Sequence, residues 1–346
     1  TREVYVALPE QDSTPGMCGL LDKSMYGTRG AAQSWERHYE SVFVDCLGFV
    51  QGKASICCLY HPGRDIRVVV HGDDFTCLAV KEQCDWLTAE LKKHFELKVS
   101  GCLGSGTNDD KMVRILNRTV QWTDTGIIFE SDPRHAEIVC KQLFSDEKSS
   151  YPDGSTKRSR SVKAVSTPGA KDKPEGPEVP LSGSQASQYR SLVMRINYLA
   201  QDRSDLQFAG KELARKMCEP TSHDWQRLKR LGRYLIGVPR LELFFRFQKF
   251  VGNLNCYVDS DYAGCLRTRK STNGGCMMHG SHCIKSWSTN QSVIAISSGE
   301  AELYSLVKGS SELLGMLSIG VDLNKSLTGR LRSDSSAAIG MSHRRG

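Results

Sequence analysis

Three short acid-bearing segments near the C-terminal end constrain the fold of this chain more than any other feature. They occupy residues 256–264, 297–304 and 331–339 of the 346-residue chain. Carboxylates that lie far apart in sequence and on different secondary elements are typical of sites in which two hard cations are held beside a scissile phosphodiester. The fold is therefore expected to bring these three segments to one point.

The first segment predicts a strand that carries Asp259. Leu254, Cys256 and Val258 alternate with other residues before the break at Gly264, and alternation with a period of two is the pattern of a half-buried strand.

The second and third segments predict a helix start and a short strand. Glu300 and Glu302 open a stretch whose apolar residues recur at helical spacing. The apolar residues of that stretch are Leu303, Leu306, Val307, Leu313 and Leu314. Asp334 follows the short predicted strand 330–333, in which Leu331 is the one apolar residue. It precedes small residues that are typical of a helix start.

A single Asp is most often a solvated surface carboxylate, but the order of the three segments is far more specific. The chain here resembles the ribonuclease H domain of copia-type retrotransposon polyproteins, in which Y-x-D-x-D-x-A-G, S-S-x-E-A-E and D-x-x-x-A-I recur in this order. The resemblance implies that Asp259, Glu302 and Asp334 bind catalytic metal. Asp261 and Glu300 are the second choices, because spacing does not say which acid of each pair points inward.

A second pair of acids, Asp73 and Asp74, interrupts an apolar stretch. Residues 66–70 and 75–80 predict two strands of a β-hairpin, with the pair at its tip. Taken alone, a Gly-Asp-Asp run is more often a surface turn.

The surrounding motifs favour a functional interpretation of the hairpin. The chain here resembles the copia-type reverse transcriptase, whose sequence blocks correspond in this order to residues 21–27, Trp35 and the segment 95–104. The resemblance implies that Asp73 and Asp74 hold Mg²⁺ or Mn²⁺, two ions per site, while a primer 3′-hydroxyl attacks a deoxynucleotide. It also implies an RNA template, a DNA primer, an RNA/DNA hybrid and the rest of the polyprotein as partners. No membrane is expected as a partner, because the chain has no long uncharged apolar stretch.

Several residues depart from the family pattern. His71 and Gly72 replace Tyr-Val before the paired acids, and Gly30 replaces a Gln. The family carries one further acid at each site, which this chain is expected to lack. The chain begins at Thr1 rather than Met, so we expect a fragment.

Composition excludes some classes of protein. A net charge of +7 permits a polyanionic partner without demanding one. The 13 cysteines form no C-x-x-C pair, which argues against a zinc ribbon or a disulfide framework. With no long apolar stretch and no signal peptide, we expect an intracellular protein of the cytoplasm or nucleus that is not secreted.

The predicted fold class is α/β (α+β), with a polymerase palm and thumb fragment followed by a ribonuclease H-like mixed sheet with flanking helices. Residues 1–150 are expected to form the partial reverse transcriptase and 251–346 the ribonuclease H-like domain. A Ser-, Lys- and Pro-rich linker occupies 151–185 and a helical connection 186–250. Helices are predicted from an Asp132 N-cap and Pro133, and from the stripe that starts at Leu192.

A further helical stripe, which includes Trp225 and Leu228, carries cations that either track phosphates or form an ordinary solvated face. These cations are Arg227, Lys229, Arg230 and Arg233.

The leading functional hypothesis is a retrotransposon reverse transcriptase with ribonuclease H. The alternatives are an inactive remnant that at most binds nucleic acid and, against the order of the motifs, an unrelated globular protein.

Overall fold

A computed structural model describes residues 3–12, 14–144, 162–170 and 174–344. They divide into two units, Thr1–Lys98 with Ser318–Lys325, and Val99–Leu317 with Ser326–Gly346. The predicted domain boundary at residue 150 and the first part of the predicted linker lie outside the described residues.

The first unit is built around an antiparallel sheet. Its elements are β1 (Tyr5–Val6), β2 (Gly19–Leu20), α1 (Ala31–Glu40) with a π-helical continuation (Ser41–Cys46), β3 (Val50–Gln51), β4 (Cys58–His61), β5 (Ile66–His71), β6 (Asp74–Leu78) and α2 (Lys81–Leu91). Strands β3, β4, β5 and β6 pair in this order, and β1 pairs with β2. The predicted hairpin is confirmed as β5 and β6.

The core of the first unit lies between this sheet and its helices. Leu59 and Val68 of the sheet are fully buried, and they share one apolar cluster with Tyr39 of α1, Phe43 of the π-helical stretch and Leu87 of α2. Alternate residues of β5 are buried, because successive strand residues face opposite sides of the sheet.

The second unit combines two sheets with a group of helices. Its elements are β7 (Met112–Ile115), β8 (Arg118–Thr123), β9 (Gly126–Glu130), α3 (Arg134–Phe144), α4 (Gly183–Ala200), α5 (Ser204–Ala214), α6 (Ser222–Gly237), β10 (Glu242–Arg246), β11 (Asn253–Ser260), β12 (Thr272–His279), β13 (His282–Asn290), α7 (Ser298–Asp322), β14 (Thr328–Arg332) and α8 (Ser336–His343). From Ser318 onward, α7 belongs to the first unit.

Helices α3 to α6 pack around one apolar cluster, which contains the stripe predicted from Leu192 and the stripe of α6. Leu192, Ile196 and Leu228 are fully buried. Helix α3 begins one residue later than predicted, and the Asp132 side chain accepts a hydrogen bond of 3.1 Å from the Arg134 backbone N–H.

The sheet that carries the acids is mixed. Its order is β13, β12, β11, β14, and β14 is the strand that runs parallel to β11. Leu254, Cys256 and Val258 of β11 are buried against Leu306 and Leu313 of α7, so the predicted strand and helix are both confirmed. The other sheet is antiparallel, in the order β10, β9, β8, β7.

The described part of the predicted linker up to Ser182 lies along α6 and has no helix or strand, whereas its last three residues already belong to α4, which begins at Gly183. Pro180 forms a single antiparallel bridge with Thr221, and the Glu175 N–H donates to Gln226 at 3.1 Å. These contacts hold the end of the linker beside the helix.

Across the described residues the chain is a mixture of eight α-helices with mainly antiparallel sheets, which is compatible with the predicted α+β class. All 13 cysteines are free thiols. Within the described range every helix is too short or too polar to span a lipid bilayer.

Candidate metal-binding site

Three of the predicted acids meet at one edge of the mixed sheet. Asp259, Glu302 and Asp334 each offer a carboxylate oxygen, and these oxygens lie within 4.8 Å of one another. We call these residues the carboxylate cluster. No other group of three His, Cys, Asp or Glu side chains lies this close together within the described part of the chain.

The topology of the sheet explains why the cluster forms. Strands β11 and β14 are parallel, with Tyr257 opposite Arg332, so their carboxyl ends lie at the same edge. Asp259 is near the end of β11, and Asp334 follows β14 immediately before Ser335, whose side chain caps α8. Glu302 approaches from the first turns of α7, which packs on the same sheet.

Hydrogen bonds fix two of the three carboxylates relative to each other. The Ser260 backbone N–H donates to Asp259 Oδ1 at 2.8 Å and to Glu302 Oε1 at 3.2 Å. The Ser305 hydroxyl of α7 donates to the Asp259 carbonyl at 2.7 Å, which ties the helix to the strand. One amide thus bridges two carboxylates that would otherwise repel each other.

The electrostatics of the cluster suit a cation. Burial raises the pKa of Glu302, the Ser260 N–H opposes this rise, and the charges of Asp259 and Asp334 add to it. Glu302 Oε2 is buried and accepts no hydrogen bond. A buried, unpaired acceptor beside two further carboxylates fits a hard divalent cation such as Mg²⁺ or Mn²⁺, which prefers oxygen ligands.

The structure separates the members of each acid pair that the sequence left open. Asp261 Oδ1 accepts a hydrogen bond of 2.6 Å from the Thr272 N–H. Glu300 accepts from the Ile296 N–H at 2.8 Å and from the Tyr304 hydroxyl at 3.2 Å. Both acids therefore support local structure, and neither belongs to the carboxylate cluster.

The paired acids of the first unit lie at the tip of the β5–β6 hairpin. Gly72 and Asp73 form the turn, Asp74 begins β6, and both carboxylates are exposed. Gly72 has a φ of +63°, and its carbonyl accepts a hydrogen bond of 2.7 Å from the Trp35 indole. Among the described residues no third His, Cys, Asp or Glu completes a cluster with this pair.

Cations predicted on α6 contact other residues of the chain. Arg227 pairs with Asp224 at 2.9 Å, Arg230 donates to the Thr167 hydroxyl at 2.9 Å, and Arg233 donates to the Lys163 carbonyl at 2.7 Å. The contacts of Arg230 and Arg233 hold the described linker segment 162–170, so this part of the face is occupied by the chain itself.

Sequence reasoning did not single out Ser260, Ser305 or Gln291 beside the cluster. Ser260 follows Asp259 directly, and that adjacency was the one available signal. Nothing in the local sequence indicates that Ser305 contacts β11, because such contacts arise only when the helix packs on the sheet.

Two plant transposon proteins resemble this chain at similar levels of identity. The retrovirus-related Pol polyprotein from transposon RE1 of Arabidopsis thaliana is 35% identical over 339 residues, which cover 95% of this chain. The corresponding RE2 protein is 37% identical over 142 residues, or 41% of this chain. This chain is related to the retrovirus-related Pol polyproteins of copia-type transposons. The resemblance predicted from the motifs is thereby confirmed.

The relationship covers most of this chain but a small part of each relative. The chain spans 21% of the RE1 protein and 10% of the RE2 protein. The Pol polyprotein from transposon TNT 1-94 of Nicotiana tabacum is 23% identical over 323 residues, which are 90% of this chain and 23% of that protein. No protein-family profile matches the chain.

Proposed function

We propose that the region around the carboxylate cluster is a metal-dependent ribonuclease H of a retrotransposon Pol polyprotein, which hydrolyses the RNA strand of an RNA/DNA hybrid. The cluster itself carries this proposal: Asp259, Glu302 and Asp334 come from three elements to within 4.8 Å. The mixed sheet with α7 and α8 against it supports the proposed ribonuclease H-like arrangement of residues 251–346.

In this proposal the three carboxylates hold divalent cations, two per site. Bound cations polarise the phosphodiester and lower the pKa of an attacking water. The Ser260 N–H keeps Asp259 and Glu302 at a spacing suited to shared ligation. Glu302 would act as a ligand in its deprotonated form, and the exposed Asp259 and Asp334 leave the cluster open to a nucleic-acid strand.

The proposal extends to the first 150 residues as part of an RNA-directed DNA polymerase, with palm and thumb elements. The β5–β6 hairpin presents Asp73 and Asp74 at its tip, which supports a role in holding cations for a primer and a deoxynucleotide on an RNA template. The linker 151–185 and the helical connection 186–250 would then join the two activities, with the rest of the polyprotein as a further partner.

The ribonuclease proposal is tested on a labelled RNA/DNA hybrid with the full chain and Mg²⁺ or Mn²⁺. We expect more than about 100-fold slower cleavage in each of the variants Asp259→Asn, Glu302→Gln and Asp334→Asn. Mutating residues that only orient metal ligands already lowers metal affinity or activity by about 10- to 100-fold. Mn²⁺ affinity, measured by electron paramagnetic resonance, should fall in the same variants.

Glu300→Gln is the matched control, because Glu300 lies on the same helix but outside the cluster. A Gln side-chain oxygen still accepts from the Ile296 N–H, so this variant should cleave close to the wild-type rate. Equal losses in Glu300→Gln and Glu302→Gln would contradict the proposed site.

A second candidate is an inactive remnant that binds nucleic acid. The observation in its favour is the hairpin tip, where Asp73 and Asp74 have no third acid beside them among the described residues and His71 and Gly72 replace the family residues. Hybrid binding without cleavage by the wild-type chain, in either metal, would favour this candidate.

A further inference from the structure

Gln291 is a buried amide next to the carboxylate cluster. It directly follows β13 and is 4% exposed. Its backbone N–H donates to the Ser271 carbonyl at 2.8 Å, so the main chain is anchored at this point.

The side chain of Gln291 joins three elements. Its Nε2 group, which has two hydrogens to donate, lies within hydrogen-bond distance of three acceptors: the Ala301 carbonyl of α7 at 2.8 Å, Asn273 Oδ1 of β12 at 2.7 Å and the Ser260 hydroxyl of β11 at 3.1 Å. Two of these partners adjoin the cluster, because Ala301 precedes Glu302 and Ser260 follows Asp259.

The network also determines which way the amide points. The Ala301 carbonyl can only accept hydrogen bonds, so the NH₂ group of Gln291 must face it. Gln291 Oε1 is consequently turned away, and it is buried without a hydrogen-bond partner. A buried amide that leaves one acceptor unsatisfied carries a cost in stability, which favours a role other than stabilisation alone.

We propose that Gln291 is a positioning residue that sets the distance between Asp259 and Glu302, and with it the affinity of the cluster for a divalent cation. This inference rests on the proposed metal-dependent function. Gln291 acts through Ser260, whose N–H touches both carboxylates, and through Ala301, which places the first turns of α7. Mutating residues that orient metal ligands without binding the metal themselves typically lowers metal affinity or activity by about 10- to 100-fold.

Gln291→Met tests this role, because methionine keeps the length and volume of the side chain and removes its donors. Mn²⁺ titration of the full chain, followed by electron paramagnetic resonance, should show an affinity at least about tenfold weaker than wild type. With the RNA/DNA hybrid, kcat should fall while KM changes little, because Gln291 is buried and does not reach the substrate.

Gln207→Met is the matched control. Gln207 lies on α5 of the same unit, and its Nε2 donates to the Ser286 carbonyl at 3.1 Å. This variant therefore also loses a partly buried hydrogen bond from a side-chain amide. Its Mn²⁺ affinity and kcat should equal those of wild type. A loss of thermal stability in Gln291→Met with unchanged Mn²⁺ affinity would overturn the inference and assign Gln291 a structural role.

A second measurement avoids dependence on how the variant folds. In wild-type protein, the side-chain amide resonances of Gln291 should shift when Mg²⁺ is added, and this shift should be absent in Glu302→Gln. Resonances that stay unchanged while Mg²⁺ binds would overturn the inference. A wild-type chain that binds neither Mn²⁺ nor Mg²⁺ would overturn the proposed function as well, so the two failures are distinguishable.

Discussion

At Glu302, burial and the two neighbouring carboxylates raise the pKa above its ordinary value of 4.5. A carboxyl group with a raised pKa holds its proton more tightly in the folded chain. Its contribution to stability is fully present below the unfolded pKa and is lost as the pH rises through the folded pKa. Without divalent cations, Glu302→Gln should therefore gain stability relative to wild type as the pH rises above about 4.5.

Urea unfolding in a chelating buffer from acid to neutral pH measures this difference. Glu312→Gln serves as a control of opposite sign, because hydrogen bonds from Lys285 and Lys308 lower the pKa of Glu312. The stability that Glu312 contributes is present above its unfolded pKa and is lost as the pH falls through the folded pKa. Wild-type and Glu302→Gln curves that run parallel at every pH would contradict the expected behaviour of Glu302.

Residue by residue, the sequence identified the acids but not their orientation. Each candidate pair consists of two identical side chains that are two positions apart, Asp259 with Asp261 and Glu300 with Glu302. The structure distinguishes them through contacts with distant residues, such as the bond from the Thr272 N–H to Asp261. Local spacing contains no information about those partners.

At the scale of elements, the close approach of α7 to the mixed sheet depends on Gly309. A Cβ atom at this position would overlap Cγ1 of Val258 and would lie 2.9 Å from Cδ1 of Leu331. Gly309→Ala should destabilise the chain by up to about 2 kcal/mol, because overpacking costs about 1–3 kcal/mol and the gain in helix propensity offsets about 1 kcal/mol of this cost.

Gly315→Ala on the same helix is the comparison, since a Cβ there would meet no atom within 4 Å. This variant should gain up to about 1 kcal/mol from helix propensity. Denaturant unfolding of both variants gives the two values. An equal increase in the free energy of unfolding in both variants would show that α7 does not need a glycine where it contacts the sheet.

Element types were predicted well where the apolar period was clear, as in β11, α4 and α7. The strand β14 was a weak prediction, because its apolar pattern is poor, with Leu331 partly buried in a strand that is otherwise exposed. Its strand conformation comes from parallel pairing with β11, a contact between residues about 75 positions apart. The contacts of α6 with the linker were equally inaccessible to local patterns.

For the whole molecule, the proposed binding of nucleic acid should be salt-sensitive, because a chain with a net charge of +7 would contact the phosphates through Lys and Arg. Asp259→Asn, which should bind a hybrid without cleaving it, is suited to fluorescence anisotropy at increasing NaCl. The logarithm of its affinity should fall linearly with the logarithm of the salt concentration. The slope of this line should be about −0.9 for each phosphate that the protein contacts. An affinity that does not change with salt would argue against a polyanionic partner.

The sequence by itself determined the relationship to copia-type Pol polyproteins, the α+β class and the acids that form the carboxylate cluster, because motifs and apolar periods are local properties. The tertiary structure decided which carboxylates lie together and which residues support them. Asp259, Glu302 and Asp334 meet because β11 and β14 run parallel and α7 packs on their sheet. Gln291 joins that arrangement through contacts that no local pattern encodes.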